Sequence, residues 1–227
     1  MPGIRAILVL SLAIASLSGC ATSSVMVEGR HGELPIGAPG VATLVFIRPS
    51  SFAFAREFRV IDHAGHFVGD ALPGSYFVVR TPPGEYVFIV GGEDVDVLYA
   101  NVAPGLVYYV EVTPVAGSLS AKTIFRPVKP GAQAWNDLAK VLSRRRQWIP
   151  DFARGQAVVD RDPGTRARIE RAKHLWASLS PDERMLQSLA PEQGAAFFPQ
   201  PPPPLPATPP ATYPAPPNSV PSEPSHP

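Results

Sequence analysis

The sequence is poor in cysteine, in net charge and in long apolar runs. Cys20 is the only cysteine among 227 residues, so no intramolecular disulfide can form. The 20 basic and 19 acidic residues give a net charge of +1, and this balance does not indicate a nucleic-acid partner. No run of apolar residues reaches the roughly 18 positions that a membrane-spanning helix needs.

Familiar catalytic motifs are also missing. There is no Gly-x-Ser-x-Gly elbow, no phosphate-binding glycine loop and no His-Glu-x-x-His motif. We therefore predict a protein that is not an enzyme and that uses no cofactor. A buried Ser/His/Asp set, or two carboxylates within hydrogen-bonding reach, would revive the alternative of a hydrolase.

The N-terminus has the features of a secretory signal. Arg5 precedes an apolar run of about a dozen residues, which ends in Leu17-Ser18-Gly19-Cys20. The alternative is a buried cysteine in a cytosolic helix, but charge, apolar run and small residues occur here in the order of a signal. Residues 1–19 are thus predicted to be a signal peptide.

Leu-Ser-Gly-Cys resembles the lipobox of bacterial lipoproteins. The resemblance implies cleavage before Cys20, a diacylglyceryl thioether on its sulfur and acylation of the freed amine. In such lipoproteins an aspartate after the cysteine favours retention in the inner membrane, so Ala21 favours the outer membrane. The implied partner is the membrane, reached through the lipid anchor, and the implied location is the cell envelope.

The composition changes at residue 41. Residues 20–40 are polar and rich in glycine and proline, which predicts a flexible tether. Residues 41–130 carry strand-sized runs rich in Val, Ile, Phe, Tyr and Thr. The predicted strands are Val41–Arg48, Glu57–Ile61, His66–Gly69, Ser75–Thr81, Glu85–Val90, Asp94–Ala100, Leu106–Thr113 and Thr123–Pro127.

Turn residues separate these runs at intervals of roughly ten residues, which is typical of an antiparallel sandwich or barrel. Pro73-Gly74 and Pro82-Pro83-Gly84 are two of the turns, and we expect Gly74 and Gly84 to have positive φ. The runs Ser75–Thr81 and Glu85–Val90 are apolar on both faces, which predicts central or covered strands. The predicted fold class is mainly β, an antiparallel sandwich of transthyretin-like or immunoglobulin-like architecture.

Residues 131–190 are predicted to form a helical C-terminal appendage. Trp135, Leu138 and Leu142 are spaced as one stripe of a helix. A second helix is predicted from Pro163 to Leu179, and Ser180-Pro181-Asp182-Glu183 has the pattern of an N-terminal capping box.

The last segment, residues 191–227, is predicted to be a disordered tail. From Pro199 onward, 14 of 29 residues are proline, and such a segment cannot bury enough apolar surface to fold. Two interpretations stay open: an extended arm that binds a partner, and an inert tail.

Residues 41–127 resemble a β-rich domain of unknown function found in bacterial lipoproteins. The resemblance rests on Val45-Phe46-Ile47-Arg48-Pro49, Asp62 to Gly69, Gly74-Ser75-Tyr76-Phe77, Pro83-Gly84-Glu85-Tyr86, and Pro104-Gly105 leading into Tyr108-Tyr109-Val110. That family has no assigned activity, so the resemblance implies a fold and a location without a mechanism.

Two groups of side chains contain residue types that can bind a metal ion. His63 and His66 flank a tight turn with Asp62, but no third or fourth ligand is evident, and an exposed hairpin tip is the better interpretation. Glu93, Asp94 and Asp96 supply carboxylates, but too few for a calcium loop, and they fit a solvated strand edge. We predict no metal site.

The basic residues are concentrated between Lys140 and Lys173, where the sequence has ten Lys or Arg residues and four Asp or Glu residues. This segment, together with Trp135, Trp148 and Trp176, has two interpretations. Its basic residues bind anionic lipid headgroups, or they form a solvated helical surface over tryptophans that pack in the core. We predict a lipid-anchored envelope protein with a non-enzymatic structural or interaction role, its partner an envelope protein or anionic headgroups. The alternative is a binding module for a small apolar ligand or a glycan, using Phe52, Phe54 and Tyr99 in a concave pocket.

Overall fold

The computed structural model describes residues 23–32, 34–91, 94–116 and 121–196. Cys20, the predicted signal peptide and residues 197–227 of the predicted tail lie outside these residues. The described part contains eleven strands, four α-helices and one short 3-10 helix. The strands are β1 (Met26–His31), β2 (Ala42–Arg48), β3 (Phe58–Asp62), β4 (Phe67–Ala71), β5 (Ser75–Thr81), β6 (Gly84–Gly91), β7 (Val95–Val102), β8 (Val107–Ala116), β9 (Ala121–Val128), β10 (Arg146–Pro150) and β11 (Ser188–Leu189).

The helices all follow the ninth strand. They are α1 (Gln133–Ser143), α2 (Phe152–Arg161), α3 (Thr165–Ser178) and α4 (Pro181–Leu186), and the 3-10 helix spans Pro191–Gln193. None of the helices in this described part is long and apolar enough to cross a membrane. The predicted capping box is present at α4, where the Ser180 side chain accepts from the Glu183 amide and the Glu183 carboxylate accepts from the Ser180 amide.

The first sheet has six strands in the order β1-β10-β5-β2-β8-β9. Its central strand β2 runs antiparallel to β5, with Phe46 opposite Phe77, and parallel to β8, with Phe46 beside Val110. Every residue of β2 is buried. A strand covered on both faces accommodates the apolar run Leu44–Ile47, which contains no alternation.

The second sheet has five strands in the order β11-β7-β6-β3-β4. The two sheets face each other, and the ring of Phe46 lies at the centre of their interface. It stacks on Phe77 at 4.9 Å between ring centroids and meets the edge of Phe88, from the second sheet, at 5.4 Å. Each such aromatic pair adds about 0.5–1.5 kcal/mol beyond the burial of its surface.

Helix α1 covers the outer face of the first sheet. Trp135, Leu138 and Leu142 are buried there in a cluster with Tyr109, and the Trp135 ring meets the Tyr109 ring edge-on at 5.7 Å. The stripe predicted from the sequence is therefore the face that packs against the sheet.

Helices α2 and α3 cover the outer face of the second sheet. Gly155 of α2 lies so close to the Phe67 ring of β4 that it has no room for a side chain. Trp176 of α3 stacks on Tyr99 of β7 at 6.0 Å. The layers therefore run helix, sheet, sheet, helices, which buries both faces of each sheet.

The mainly β class is confirmed, and the predicted strand runs correspond to β2–β9 with small shifts at their ends. The expectation of exclusively antiparallel sheets is wrong. Three pairs are parallel: β2 with β8, β10 with β5, and β11 with β7. Parallel neighbours require long crossover connections, which here run through intervening strands and helices.

Strand pairs connect the predicted segments to one another. Residues 26–31 of the expected tether form β1, which pairs antiparallel with β10 of the expected helical appendage. Residues 188–189 add β11 to the second sheet. At the start of the expected tail, Ala195 exchanges two backbone hydrogen bonds with Val107. Segments from both ends of the described chain thus complete the sheets.

The positive φ angles expected at the two turn glycines are confirmed. Gly74 has a φ of 62° and Gly84 a φ of 145°. Only glycine adopts such angles without strain, so these two positions set the entrances of β5 and β6.

Candidate functional site

The described chain begins next to the buried edge of the second sheet. The Ser23 hydroxyl donates to Asp70 Oδ2 at 3.1 Å, and the Val25 carbonyl accepts from the Asp151 amide at 2.9 Å. Asp70 is buried and also binds the Arg59 guanidinium through two hydrogen bonds of 2.9 and 3.0 Å. The chain is therefore fixed to the fold from Ser23 onward, three residues after Cys20.

Arg48, the last residue of β2, is completely buried. Its guanidinium lies over the Phe58 ring, 4.3 Å from the centroid, and donates to the Ala71 carbonyl at 2.9 Å. Burial lowers the pKa of Arg48 to about 10, so the side chain stays cationic at neutral pH.

The other partners of Arg48 all belong to one segment, residues 49–57, which we call the aromatic loop. The guanidinium donates to the carbonyls of Phe52, Ala53 and Arg56 at 2.9, 2.8 and 2.6 Å. The Arg48 guanidinium thus binds three backbone carbonyls of a loop that pairs with no strand. Such charge-assisted bonds are about twice as strong as neutral ones.

The aromatic loop presents two phenylalanines to solvent. Phe52 is 52% exposed and Phe54 is 68% exposed, although both belong to a residue type that is usually buried. Ala53 between them has a φ of 55°, an unusual value for a residue with a side chain. A strained backbone held by a buried cation, with its rings outside, is typical of a preformed contact surface.

The register of the first sheet places the aromatic loop beside a basic segment. Arg48 and Arg146 both pair with Ser75, so the end of β2 and the start of β10 lie at the same end of the sheet. The preceding residues, Arg144 and Arg145, therefore lie at this end too, with Arg145 Nη1 near Gly74. We call the aromatic loop together with Arg144 and Arg145 the aromatic–basic end.

Cations outnumber acids at this end. Arg144 is exposed and Arg145 half-buried, and both line a groove of about 320 Å³ with Lys140, Val141 and Asp137. The exposed Arg56 adds a further positive charge from the aromatic loop.

Two other basic residues of the segment between Lys140 and Lys173 form ion pairs on another part of the fold. Arg168 pairs with Asp162 at 2.9 Å, and Lys173 pairs with Glu170 at 2.8 Å, both on the helices that cover the second sheet. Trp135 and Trp148 are buried. The tryptophans are packing residues, and the basic residues at the aromatic–basic end are separate from those of α3.

The hairpin tip with the two histidines is exposed. Asp62 accepts from the amides of Ala64 and His66, and its second oxygen lies 2.8 Å from His66 Nδ1. Within the described ranges no group of three or more His, Cys, Asp or Glu is placed to hold a metal. The Asp62 carboxylate instead closes the turn.

This tip borders an open groove of about 520 Å³ against α2 and α3. The only residue of the groove with a hydroxyl side chain is Thr165, which donates to the Val159 carbonyl at 3.1 Å rather than to His66. The His66–Asp62 pair therefore has no nucleophile in this groove, and the hydrolase alternative gains no support here.

The acidic cluster after β6 is not a solvated edge throughout. Asp94 is exposed and pairs with Lys122 at 3.3 Å, whereas Asp96 is buried and accepts from the Phe125 amide and the Gln187 side chain. Burial raises the pKa of Asp96, and these hydrogen bonds oppose the rise. Asp96 thus joins β7 to β9 and to the segment before β11. Glu93 lies outside the described residues.

The ligand-binding alternative required a concave pocket lined by aromatic residues. Neither of the two grooves above is lined by Phe, Tyr or Trp. Tyr99, expected among the exposed aromatics, stacks on Trp176, whereas Phe52 and Phe54 are exposed as expected. The two phenylalanines thus belong to a protruding loop.

The chain matches no protein-family profile, no curated protein and no solved structure. The resemblance of residues 41–127 to the lipoprotein domain therefore remains a hypothesis based on its residues.

Sequence reasoning missed the role of Arg48. Its signal was present, because Val45-Phe46-Ile47-Arg48 places one charge at the end of a run that is buried on both faces. A charged residue in that position requires hydrogen-bonding partners, which the next loop supplies.

Proposed function

We propose that this protein is a lipid-anchored component of a bacterial cell envelope with a non-enzymatic structural or interaction role. Arg5, the apolar run and Leu17-Ser18-Gly19-Cys20 support secretion and lipid attachment at Cys20. Because alanine rather than aspartate stands at position 21, the proposed location is the outer membrane.

The position of Ser23 supports an anchor close to the fold. Ser23 binds the buried Asp70, so the chain between the fold and Cys20 comprises only Ala21 and Thr22. Two or more acyl chains would make release from a bilayer negligible, because each buried CH₂ contributes about 0.8 kcal/mol.

The observation that favours an interaction role is that the aromatic loop is exposed while Arg48 holds its backbone in place. Arg48 uses four hydrogen bonds to carbonyls, three of them in the loop that carries Phe52 and Phe54. A preorganised loop loses less conformational entropy on binding than a mobile one. The partner is an envelope protein or the anionic surface of the membrane itself.

A transthyretin-like or immunoglobulin-like architecture stays a prediction. Two sheets packed face to face support it, whereas the three parallel pairings depart from it. We propose that the protein shares with such modules the use of a loop at one end of the sheets for contact.

The experiment that tests this proposal is metabolic labelling with a fatty-acid analogue. The natural chain and Cys20→Ser are expressed in a bacterium, and their membranes are separated on a density gradient. We expect label on the natural chain, which sediments with the outer membrane, and no label on Cys20→Ser. Equal labelling of both chains, or an unlabelled natural chain, would overturn the proposal.

A further inference from the structure

We propose that the aromatic–basic end lies on an anionic lipid surface, with Phe52 and Phe54 in the interfacial region and Arg144 and Arg145 against the headgroups. This inference rests on the proposed lipid anchor at Cys20.

The segment between Cys20 and the fold is short. Three residue steps separate Ser23 from Cys20, and an extended chain spans at most about 3.6 Å per step, so Ser23 lies within roughly 11 Å of the anchored residue. The part of the fold around Ser23 is therefore held close to the bilayer.

A short series of contacts leads from Ser23 to the aromatic loop. Ser23 contacts Asp70, the next residue Ala71 accepts from Arg48, and Arg48 holds the Phe52 carbonyl. Only these few contacts separate the point where the chain reaches the fold from the exposed rings. Ser23 is thus linked to the aromatic loop through Asp70, Ala71 and Arg48, whereas Arg144 and Arg145 precede Arg146, at the opposite end of β10 from Pro150, the partner of Met26.

The aromatic–basic end combines apolar rings with positive charge. Exposed phenylalanines at a membrane surface are buried at the boundary between headgroups and acyl chains, and each Lys or Arg near an anionic surface contributes roughly a five-fold gain in partition. Phe52 and Phe54 are exposed, Arg56 belongs to the same loop, and Arg144 and Arg145 lie at the same end of the sheet. Exposed rings and arginines at one end of the fold suit an anionic lipid surface.

A second exposed apolar group competes for the same role. Val27 and Ile149 pair on the β1–β10 edge and are 53% and 50% exposed. Their strands carry Arg146, whose guanidinium binds Glu28 at 3.2 Å, and the exposed Arg30. This edge therefore has one arginine paired to an acid and one exposed arginine, whereas three arginines lie at the aromatic–basic end.

The test uses a fluorescent probe at three positions of the lipidated full chain. Ala55→Cys places an environment-sensitive thiol probe in the aromatic loop without removing either phenylalanine. Ile149→Cys reports the competing edge, and Leu186→Cys, on α4 before the β11 edge, is the matched control because Leu186 is 69% exposed. Each protein is reconstituted into phosphatidylethanolamine–phosphatidylglycerol vesicles and into phosphatidylcholine vesicles.

We expect a blue-shifted probe at position 55 that spin-labelled lipid quenches in the anionic vesicles, and a probe at position 186 that behaves as in water. Raising the salt concentration to about 1 M should reverse the shift, because it shortens the screening length to about 3 Å. Arg144→Gln with Arg145→Gln should weaken it in the same way. Phe52→Ser with Phe54→Ser should abolish it at an unchanged melting temperature.

A probe at position 55 that stays aqueous in vesicle-bound protein, or quenching at position 149 alone, would overturn the inference while leaving the anchor intact. Protein that carries no acyl chain by mass spectrometry, and does not float with the vesicles, would instead overturn the proposed function. The two failures are therefore distinguishable.

Discussion

Replacing Arg48 with methionine should destabilise the fold and release the aromatic loop. The change leaves the buried Ala71 carbonyl without its donor, at a cost of about 1–3 kcal/mol, and removes a desolvated cation–π contact with Phe58 of about 2 kcal/mol. The loop carbonyls of Phe52 and Ala53 can bind water, and loss of the buried charge offsets part of the damage. The net loss is about 3 kcal/mol, or roughly 6–12 °C in melting temperature for a domain of this size.

Thermal melting and limited chymotrypsin digestion of the full chain measure the two effects. In Arg48→Met, cleavage after Phe52 and Phe54 should become at least about ten-fold faster, since a loop with a local opening cost lowered by 1.4 kcal/mol is open ten times more often. Arg56→Met is the matched control, because Arg56 contributes its backbone carbonyl to the cluster and its side chain is exposed. An Arg48→Met protein with the melting temperature and digestion rate of Arg56→Met would show that Arg48 does not hold the aromatic loop in place.

Three further changes test other parts of the fold. Gly155→Ala should cost about 1–3 kcal/mol in a chemical denaturation, because the added methyl meets the Phe67 ring; an unchanged midpoint would show that α2 can move away. Gly84→Val should cost about 1–2 kcal/mol from backbone strain alone, since open space surrounds the glycine at a φ of 145°, and an unaltered melt would contradict that angle. Burial raises the pKa of Asp96, so the folded state binds its proton more tightly than the unfolded state, and ionisation costs stability as pH rises above about 4. Thermal melts from pH 4 to 7 should therefore show the natural chain losing stability relative to Asp96→Asn. Melting temperatures that change with pH in the same way for both proteins would contradict a buried, ionised Asp96.

The local features of the β region could be predicted because short-range chemistry determines them. Strands β5 and β6 are apolar on both faces, and both lie inside their sheets with neighbours on either side. Gly74 and Gly84 follow prolines at the turns and have the positive φ that such turns need.

The features that were missed depend on contacts between distant parts of the chain. β1 is the edge strand of the first sheet and β10 its neighbour, both with mixed polar sequence, and they pair with each other across more than 110 residues, while β10 also pairs with β5. The parallel neighbours of β2 and β5 come from crossover connections, which hydrophobic period cannot reveal.

Only part of the candidate site could be predicted from the sequence. Phe52 and Phe54 stood out as exposed aromatics, whereas the reason for their exposure lies in Arg48, whose partners are backbone carbonyls that carry no sequence signature. The common position of Arg48 and Arg146 at one end of the sheet also required the register through Ser75.

The most direct test of the central proposal, that Cys20 anchors this protein to a membrane, is the intact mass of the protein purified in detergent from bacterial membranes. The account predicts a polypeptide that begins at Cys20 and carries the added mass of a diacylglyceryl group and an amide-linked acyl chain, with both modifications on the N-terminal peptide. A protein that retains residues 1–19, or that begins elsewhere with a free Cys20 thiol, would contradict it.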